Sequence, residues 1–357
     1  MSSGIVATIT NQVWDLGDQI LKTRFARAID DGVARYPIHR SLRFAARVSL
    51  EALFDQMAML PNWRAVRPDS HSLLMDSDHA FITARGGRKA DYCSCFFSIW
   101  AETVELAEKA RTDLLALVAD TRITEPMFSI EWHFRTSKGD LESASIEELA
   151  DDVLLDAAYP ELSGGVQAFV KRYLDAPETV LVLQGPPGTG KTRLIRAILG
   201  AMSQRNGHDA QALYTGDMKA LESDELFVKF ITGWDDAFVV EDADHLLKPR
   251  AAGNEHLHRF LAIADGVVRA QGRKIIFSTN LPNIQDLDDA LVRPGRCFAR
   301  IHVRNLSTAE AKTMLDKLCE NTQHSEAAQH ELFSDQSHAY SLATIYQAVG
   351  RARPLRS

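Results

Sequence analysis

Residues 185–192 read GPPGTGKT and have the composition of a loop that binds phosphate groups. The segment matches G-x-x-x-x-G-K-[S/T], in which glycines let the backbone curl so that its N–H groups face an anion. Lys191 would contact the β- and γ-phosphates, and the Thr192 hydroxyl would complete the coordination of Mg²⁺. Because the segment follows an apolar run and precedes a helical pattern, we favour a nucleotide-binding loop over a glycine-rich turn that binds nothing.

The predicted nucleotide contacts cover the whole loop and the start of the next helix. They are Gly185, Pro186, Pro187, Gly188, Thr189, Gly190, Lys191, Thr192 and Arg193. The two prolines fix φ and stiffen the entry to the loop. The predicted cofactors are ATP and Mg²⁺.

Two adjacent carboxylates, Glu241 and Asp242, end the apolar run at residues 238–240. ATP hydrolysis needs a carboxylate near Mg²⁺ and a polar group on the attacking water, both at the end of a strand beside the phosphate-binding strand. We expect Glu241 to lie near the metal with Thr192, and Asp242 to face the water. The alternative is that one of the pair, or Asp244, only caps the next helix.

Three further polar residues could act on a bound γ-phosphate. Asn280 follows the run KIIFST, and its amide could hold the attacking water, although a turn asparagine is the alternative. Arg293 and Arg296 flank a Pro-Gly pair that would hold them at a rigid corner. A guanidinium there could reach the γ-phosphate bound by a neighbouring copy and stabilise transition-state charge, whereas surface arginines in salt bridges are the alternative.

Short apolar runs alternate with helical patterns from about residue 156. The runs TVLVLQ, ALYTG, AFVVED, KIIFSTN and ARIHV predict five strands, which is typical of a parallel sheet covered on both faces. After residue 303 the pattern is helical: Ser307 and Glu310 predict a capping box, and residues 340–352 predict a late helix. We therefore expect an α/β core at residues 156–305 and a small helical lid at residues 306–357.

Residues 1–155 predict a separate α+β domain in which we recognise no catalytic constellation. Apolar spacing in residues 1–60 predicts two amphipathic helices, the first at residues 13–29 and the second including Phe44, Val48, Phe54 and Met57. Strand patterns follow at residues 79–87 and 92–102, then a helix at about 102–118 and a strand at 127–135. Ser145 and Glu148 predict a capping box that starts another helix.

Taken together, GPPGTGKT, FVVEDAD, IIFSTN and LDDALVRPGR resemble the four signatures of the AAA+ ATPases, and ALVRPGR is similar to the arginine-finger segment of the AAA subgroup. The resemblance covers residues 180–303. Within it, the Glu-Asp order at residues 241–242 looks closest to that of the mitochondrial translocases of the Rieske iron–sulfur protein. Those proteins carry a transmembrane segment that is not visible here, so the sequence looks more like soluble bacterial-type AAA proteins with an unassigned N-terminal domain. The resemblance implies a P-loop NTPase core of AAA+ type that hydrolyses ATP.

Composition limits the classes of partner. A net charge of −8 over 357 residues argues against wholesale binding of nucleic acid. No apolar run approaches the ~18 residues that span a bilayer, and no secretory signal is visible. Four scattered cysteines predict no disulfide framework, so we expect a cytoplasmic, reducing compartment.

The leading hypothesis for function is an ATPase that assembles as a homo-oligomeric ring, expected to be a hexamer. It would remodel or assemble a protein partner that binds residues 1–155. Two alternatives stay open: a nucleotide-gated scaffold or regulatory protein with little turnover, and an ATPase that acts on DNA.

Overall fold

A computed structural model describes residues 36–89, 91–125, 127–150, 154–248, 256–264, 272–282, 288–291, 293–319, 321–334 and 338–352, with isolated residues between 19 and 31. The helix predicted at residues 13–29 falls almost entirely outside these residues. The chain divides into two compact units, Met1–Thr124 and Glu125–Ser357. Among the described residues, no helix is long and apolar enough to cross a membrane.

The first unit is a six-stranded antiparallel sheet with two helices packed into one core against it. Its elements are β1 Ile38–Ala46, α1 Leu50–Ala58, β2 Arg64–Asp69, β3 Ser72–Asp76, β4 Ala80–Arg88, β5 Cys93–Ala101, α2 Val104–Ala116 and β6 Arg122–Ile123. The strand order is β2-β3-β4-β5-β1-β6. The predictions of two strands and a helix between residues 79 and 118 are confirmed.

The second helix predicted near the N-terminus is wrong at its start. Phe44 lies on β1 and stacks against Phe97, with the ring centroids 4.9 Å apart. The helix begins only at Leu50. Ser49 is its N-cap, and the Ser49 hydroxyl accepts a hydrogen bond from the backbone amide of Ala52 at 3.2 Å. Apolar residues alternate along β1, and over so few residues a period of two overlaps with helical spacing.

The second unit contains a seven-stranded sheet. Its elements are β7 Met127–Arg135, β8 Leu141–Leu149, α3 Gly165–Asp175, β9 Val180–Gln184, α4 Lys191–Asn206, β10 Ala210–Thr215, α5 Asp224–Thr232, β11 Ala237–Val240, α6 Asp244–Leu247, α7 Leu257–Ala264, β12 Lys274–Thr279 and β13 Cys297–His302. The strand order is β13-β9-β12-β11-β10-β7-β8. All neighbouring pairs are parallel except β7 with β8. The five predicted strands are confirmed as five adjacent parallel strands.

The hairpin of β7 and β8 corrects two predictions. Ser145 and Glu148 do not start a helix, since both lie on β8, where Ser145 pairs with Glu131 of β7. In turn, β7 pairs with β10, so the hairpin extends the sheet of the second unit. The boundary predicted at residue 155 is therefore corrected to Thr124–Glu125. A capping signature is local, and strand pairing overrides it here.

Beyond β13 the chain is mainly helical, as the sequence pattern predicts, and we refer to the segment from Leu306 to Ala352 as the lid. Its elements are β14 Leu306–Ser307, α8 Thr308–Leu318, α9 Thr322–Leu332, β15 Ala339–Tyr340 and α10 Leu342–Ala352. The capping box of Ser307 and Glu310 is confirmed at the start of α8. Buried side chains of α8, α9 and α10 share one core with α3, α4 and one face of the sheet, which fixes the lid against the phosphate-binding helix.

Candidate functional site

The loop between β9 and α4 has the curled backbone that the sequence predicts. A Cβ at Gly185 would lie 1.9 Å from the carbonyl oxygen of Val303, so only glycine fits there. Gly190 precedes α4 with φ of +96°, and a Cβ would lie 2.7 Å from Leu342 of the lid. The first N–H groups of any α-helix have no acceptor within that helix, so the N-terminus of α4, which follows this loop directly, is a place where an anion can bind.

A cleft of about 480 Å³ lies between this loop, the ends of β11 and β12, and the lid. Nine of the predicted residues line it: Pro187, Gly188, Gly190, Lys191, Thr192, Arg193, Glu241, Asp242 and Asn280. The other three loop residues lie behind it, where Thr189 donates to the Pro186 carbonyl at 2.9 Å. The structure therefore brings together the loop, the acidic pair and the asparagine.

The lid closes one side of the cleft through residues that the sequence analysis did not single out. Leu342, Ala343 and Tyr346 of α10 line it. The Ala343 amide donates to the Gly188 carbonyl at 3.0 Å, which ties the start of α10 to the loop. The guanidinium of Arg193 lies 4.4 Å from the ring centroid of Tyr346, a cation–π distance.

Glu241 is held by two hydroxyl groups. Thr192 donates to its Oε1 at 2.5 Å, and Tyr214 of β10 donates to its Oε2. These contacts place the carboxylate directly beside the hydroxyl that ends the loop motif. An all-oxygen pair of a carboxylate and a hydroxyl at one edge of the cleft fits the ligand preference of Mg²⁺.

Asp242 belongs to a different network. Asn280 donates from Nδ2 to Asp242 Oδ1 at 2.8 Å and accepts from Lys191 Nζ at 2.9 Å. Lys191 also donates to the carbonyls of Gly185 and Pro186, at 2.8 and 3.0 Å. Burial lowers the pKa of Lys191, while the charges of Asp242, Glu241 and Asp244 act in the opposite direction. The lysine, the amide and the second carboxylate form one polar chain along the cleft.

Backbone geometry separates the two carboxylates. The Glu241 amide still bonds to Thr215 of β10 at 3.0 Å, whereas Asp242 has φ of +49° and its amide faces the hydroxyl of Ser278. The strand therefore turns between them. The alternative of simple helix capping is not supported, because the residue before α6 is Ala243, which makes no side-chain cap.

Asp244 positions Asn280. Its Oδ1 accepts hydrogen bonds from the Thr279 hydroxyl at 2.6 Å and from the backbone N–H of Asn280 at 2.7 Å. The sequence predicts only a helix cap for Asp244 and predicts no role for Tyr214. The third acid in EDAD is a weak local signal for Asp244, whereas no local signal points to Tyr214, whose contact with Glu241 depends on which strands are neighbours.

The two arginines after the sheet differ in their surroundings. Arg293 is exposed on the surface. Arg296 is half-buried and donates to the carbonyl of Ala290, and its own carbonyl accepts from the Val180 amide at 3.0 Å. Neither lines the cleft of its own chain. Arg293 is the freer candidate for reaching another copy, and Arg296 also supports the corner.

Comparison with known proteins agrees with this geometry. Residues 181–305 match the family model described as "ATPase family associated with various cellular activities (AAA)". The chain is 24% identical over 287 residues to the ATP-dependent zinc metalloprotease FtsH of Aster yellows witches'-broom phytoplasma, covering 77% of this chain and 40% of that protein. It is 23% identical over 288 residues to the proteasome-associated ATPase of Acidothermus cellulolyticus, covering 68% and 46%.

A third relative is named as an "AAA ATPase forming ring-shaped complexes" in Rothia mucilaginosa, and it is 27% identical over 198 residues, covering 47% of this chain and 30% of that protein. The chain thus spans less than half the length of these relatives. The family match covers the loop, the acidic pair, Asn280 and both arginines. The chain therefore carries an ATPase domain of the AAA family, at residues 181–305.

Proposed function

We propose that the chain binds ATP with Mg²⁺ in the cleft between the β9–α4 loop and the lid, and hydrolyses it. The observation that carries this proposal is the division of the acidic pair between two networks. Glu241 lies with Thr192, while Asp242 lies with Asn280 and Lys191. ATP hydrolysis needs one carboxylate at the metal and a separate polar pair at the attacking water, and this arrangement supplies both.

The loop and Lys191 would hold the phosphates. The first residues of α4 line the cleft, so their backbone N–H groups would bind phosphate oxygens. Lys191 can exchange its bonds to the Gly185 and Pro186 carbonyls for bonds to phosphate oxygens. Asp242 would accept a hydrogen bond from the attacking water, and Asn280 would fix the direction of that carboxylate. In this reading Asp242 is the base or orienting group and Asn280 completes the water site.

Thr192 and Glu241 would hold Mg²⁺. The ion, when bound, neutralises charge on the β- and γ-phosphate oxygens. Tyr214 and the backbone bond of Glu241 to Thr215 keep the carboxylate at the end of β11. The chain's own contribution is to present these two oxygens beside the phosphate-binding loop.

Neighbouring copies would complete the site in a ring, for which six copies is our expectation. Arg293 is exposed and does not line its own cleft, and we expect its guanidinium to act on the γ-phosphate bound by another copy. The relative from Rothia mucilaginosa, which is named as forming ring-shaped complexes, supports assembly of this kind. The first unit, with its own sheet and core, would bind a protein partner that the ATPase remodels or assembles.

The decisive experiment compares Lys191→Ala with Lys171→Ala, an exposed lysine on α3, in nucleotide binding and steady-state phosphate release. We expect Lys191→Ala to lose both ATP binding and turnover, while Lys171→Ala behaves as the parent. Unchanged turnover in Lys191→Ala would refute the site. ATP binding by the parent without phosphate release, with or without partners, would instead favour a nucleotide-gated scaffold.

A further inference from the structure

The hydroxyl of Tyr214 contacts the carboxylate that we assign to the metal, while its ring packs against the core of the second unit. Tyr214 lies on β10, directly beside β11, and donates to Glu241 Oε2. Thr192 occupies the other carboxylate oxygen, Oε1, at 2.5 Å. The two oxygens of Glu241 thus have distinct partners, one from α4 and one from the sheet.

The ring of Tyr214 is itself confined. Trp132 lies opposite it on β7, and their ring centroids are 6.3 Å apart at an angle of 85°, an edge-to-face arrangement. Trp132 is 44% exposed, and Phe134 packs edge-on against it at 6.2 Å. A ring that contacts Tyr214 in this way excludes rotamers that would move the tyrosine ring into its place.

We propose that Tyr214 is a positioning residue that orients Glu241 toward Mg²⁺, and that Trp132 holds Tyr214 in place. This inference rests on the proposed function, since it assumes that Thr192 and Glu241 bind the metal. A hydrogen bond to the outer oxygen of a ligand carboxylate fixes its direction and removes rotamers that metal binding would otherwise have to exclude. Loss of such an outer contact typically weakens metal binding by about 10- to 100-fold.

Trp132 lies on the strand that follows the first unit in the chain. β7 is the first element of the second unit, and its first residue, Met127, lies close in sequence to Thr124, where the first unit ends. The covalent route from the first unit therefore leads into the strand that carries Trp132.

The test measures Mn²⁺ binding to the full-length chain with ADP, by electron paramagnetic resonance, because Mn²⁺ accepts the same oxygen ligands as Mg²⁺. Tyr214→Phe keeps the ring beside Trp132 and removes only the hydroxyl. We expect it to bind Mn²⁺ about tenfold more weakly, equivalent to about 1.4 kcal/mol, with unchanged affinity for ADP in the absence of metal.

Tyr173→Phe is the matched control. Its hydroxyl donates to the backbone carbonyls of Thr179 and Ile275, at 2.9 and 3.3 Å, in the core behind the sheet. Removing it should lower the unfolding midpoint and leave Mn²⁺ affinity unchanged. Trp132→Ala keeps the Tyr214 hydroxyl but removes the ring that packs against Tyr214. We expect this variant to bind Mn²⁺ roughly threefold more weakly than the parent. It also tests the inference if Tyr214→Phe does not fold.

The outcomes separate the inference from the proposed function. If Thr192→Val and Glu241→Gln weaken Mn²⁺ binding while Tyr214→Phe and Trp132→Ala match the parent, the inference is overturned and the metal assignment stands. If Thr192→Val and Glu241→Gln also match the parent, the metal assignment itself fails. Equal weakening by Tyr214→Phe and Tyr173→Phe would reduce the effect to stability and overturn the inference.

Discussion

Asn280 is the residue through which the proposed hydrolytic site can be tested most sharply. Its amide donates to Asp242 at 2.8 Å and accepts from Lys191 at 2.9 Å, so Asn280→Ala removes two hydrogen bonds to charged groups. Each such bond contributes about 1.5–3 kcal/mol when it is desolvated. Because the cleft is open to water, which can replace part of both bonds, we expect a total loss within that single range. This corresponds to a decrease in turnover of roughly 10- to 100-fold.

The assay is a double-mutant cycle on the rate of phosphate release at saturating ATP. The variants are Asn280→Ala, Asp242→Ala and the double variant. If Asn280 acts by directing the Asp242 carboxylate, then its loss should matter little once Asp242 is gone. The coupling energy between the two positions should therefore be about 1.5 kcal/mol or more.

Asn206→Ala is the control for this cycle. Asn206 also donates its amide to a carboxylate, that of Asp236, at 2.9 Å, but it lies at the opposite end of α4, roughly 20 Å along the helix. The Asn206→Ala variant should leave turnover unchanged, and its effect should not be coupled to that of Asp242→Ala. Additive effects of Asn280→Ala and Asp242→Ala would refute the claim that the two residues act as one unit.

Three further predictions concern the loop, the corner arginines and a buried lysine. Gly185→Ala places a Cβ 1.9 Å from a backbone oxygen and should lower the free energy of unfolding, measured in urea, by about 3 kcal/mol. Gly207→Ala is the control and should lower it by only about 1 kcal/mol, because its Cβ would meet nothing within 4 Å. Arg293→Ala should reduce turnover per subunit, and mixing it with Lys191→Ala should restore activity if the arginine acts across copies; no recovery in such mixtures would argue against that role. Burial lowers the pKa of Lys274 to about 8 from its ordinary 10.5. Between pH 8 and pH 10.5 the unfolded chain therefore binds more protons than the folded chain, so stability should rise with pH. Lys274→Met should abolish this rise, measured by thermal unfolding.

The strands of the ATPase core could be predicted from sequence because each is a short, continuous apolar run. Residues 180–184 and 237–240 are buried throughout, which is what a parallel sheet covered on both faces requires. The loop glycines were equally predictable, since their spacing encodes backbone shape directly. Each of these features depends only on residues close together in the chain.

The parts that were missed depend on pairing across the sheet. β8 carries a charged, serine-rich sequence with a capping signature, and only its partner β7 makes it a strand. The extension of the sheet by β7 depends on β10, which lies far along the chain. Likewise, Tyr214 contacts Glu241 only because β10 and β11 are neighbours, and Tyr346 lines the cleft only because α10 folds back onto the loop. No local pattern specifies such contacts.

The order of the two acids, Glu before Asp, follows from the reach that each position needs. Glu241 still lies on the strand ladder and bridges hydroxyls from two elements, Thr192 on α4 and Tyr214 on β10. An aspartate there would be shorter by one carbon–carbon bond, about 1.5 Å, and could not keep both contacts without moving the strand. Asp242 follows the turn of the backbone and meets Asn280 directly at 2.8 Å, so a short side chain suffices. The geometry thus supports a hydrolytic reading of this pair in the order in which it occurs, with the longer acid at the proposed metal position and the shorter one at the water.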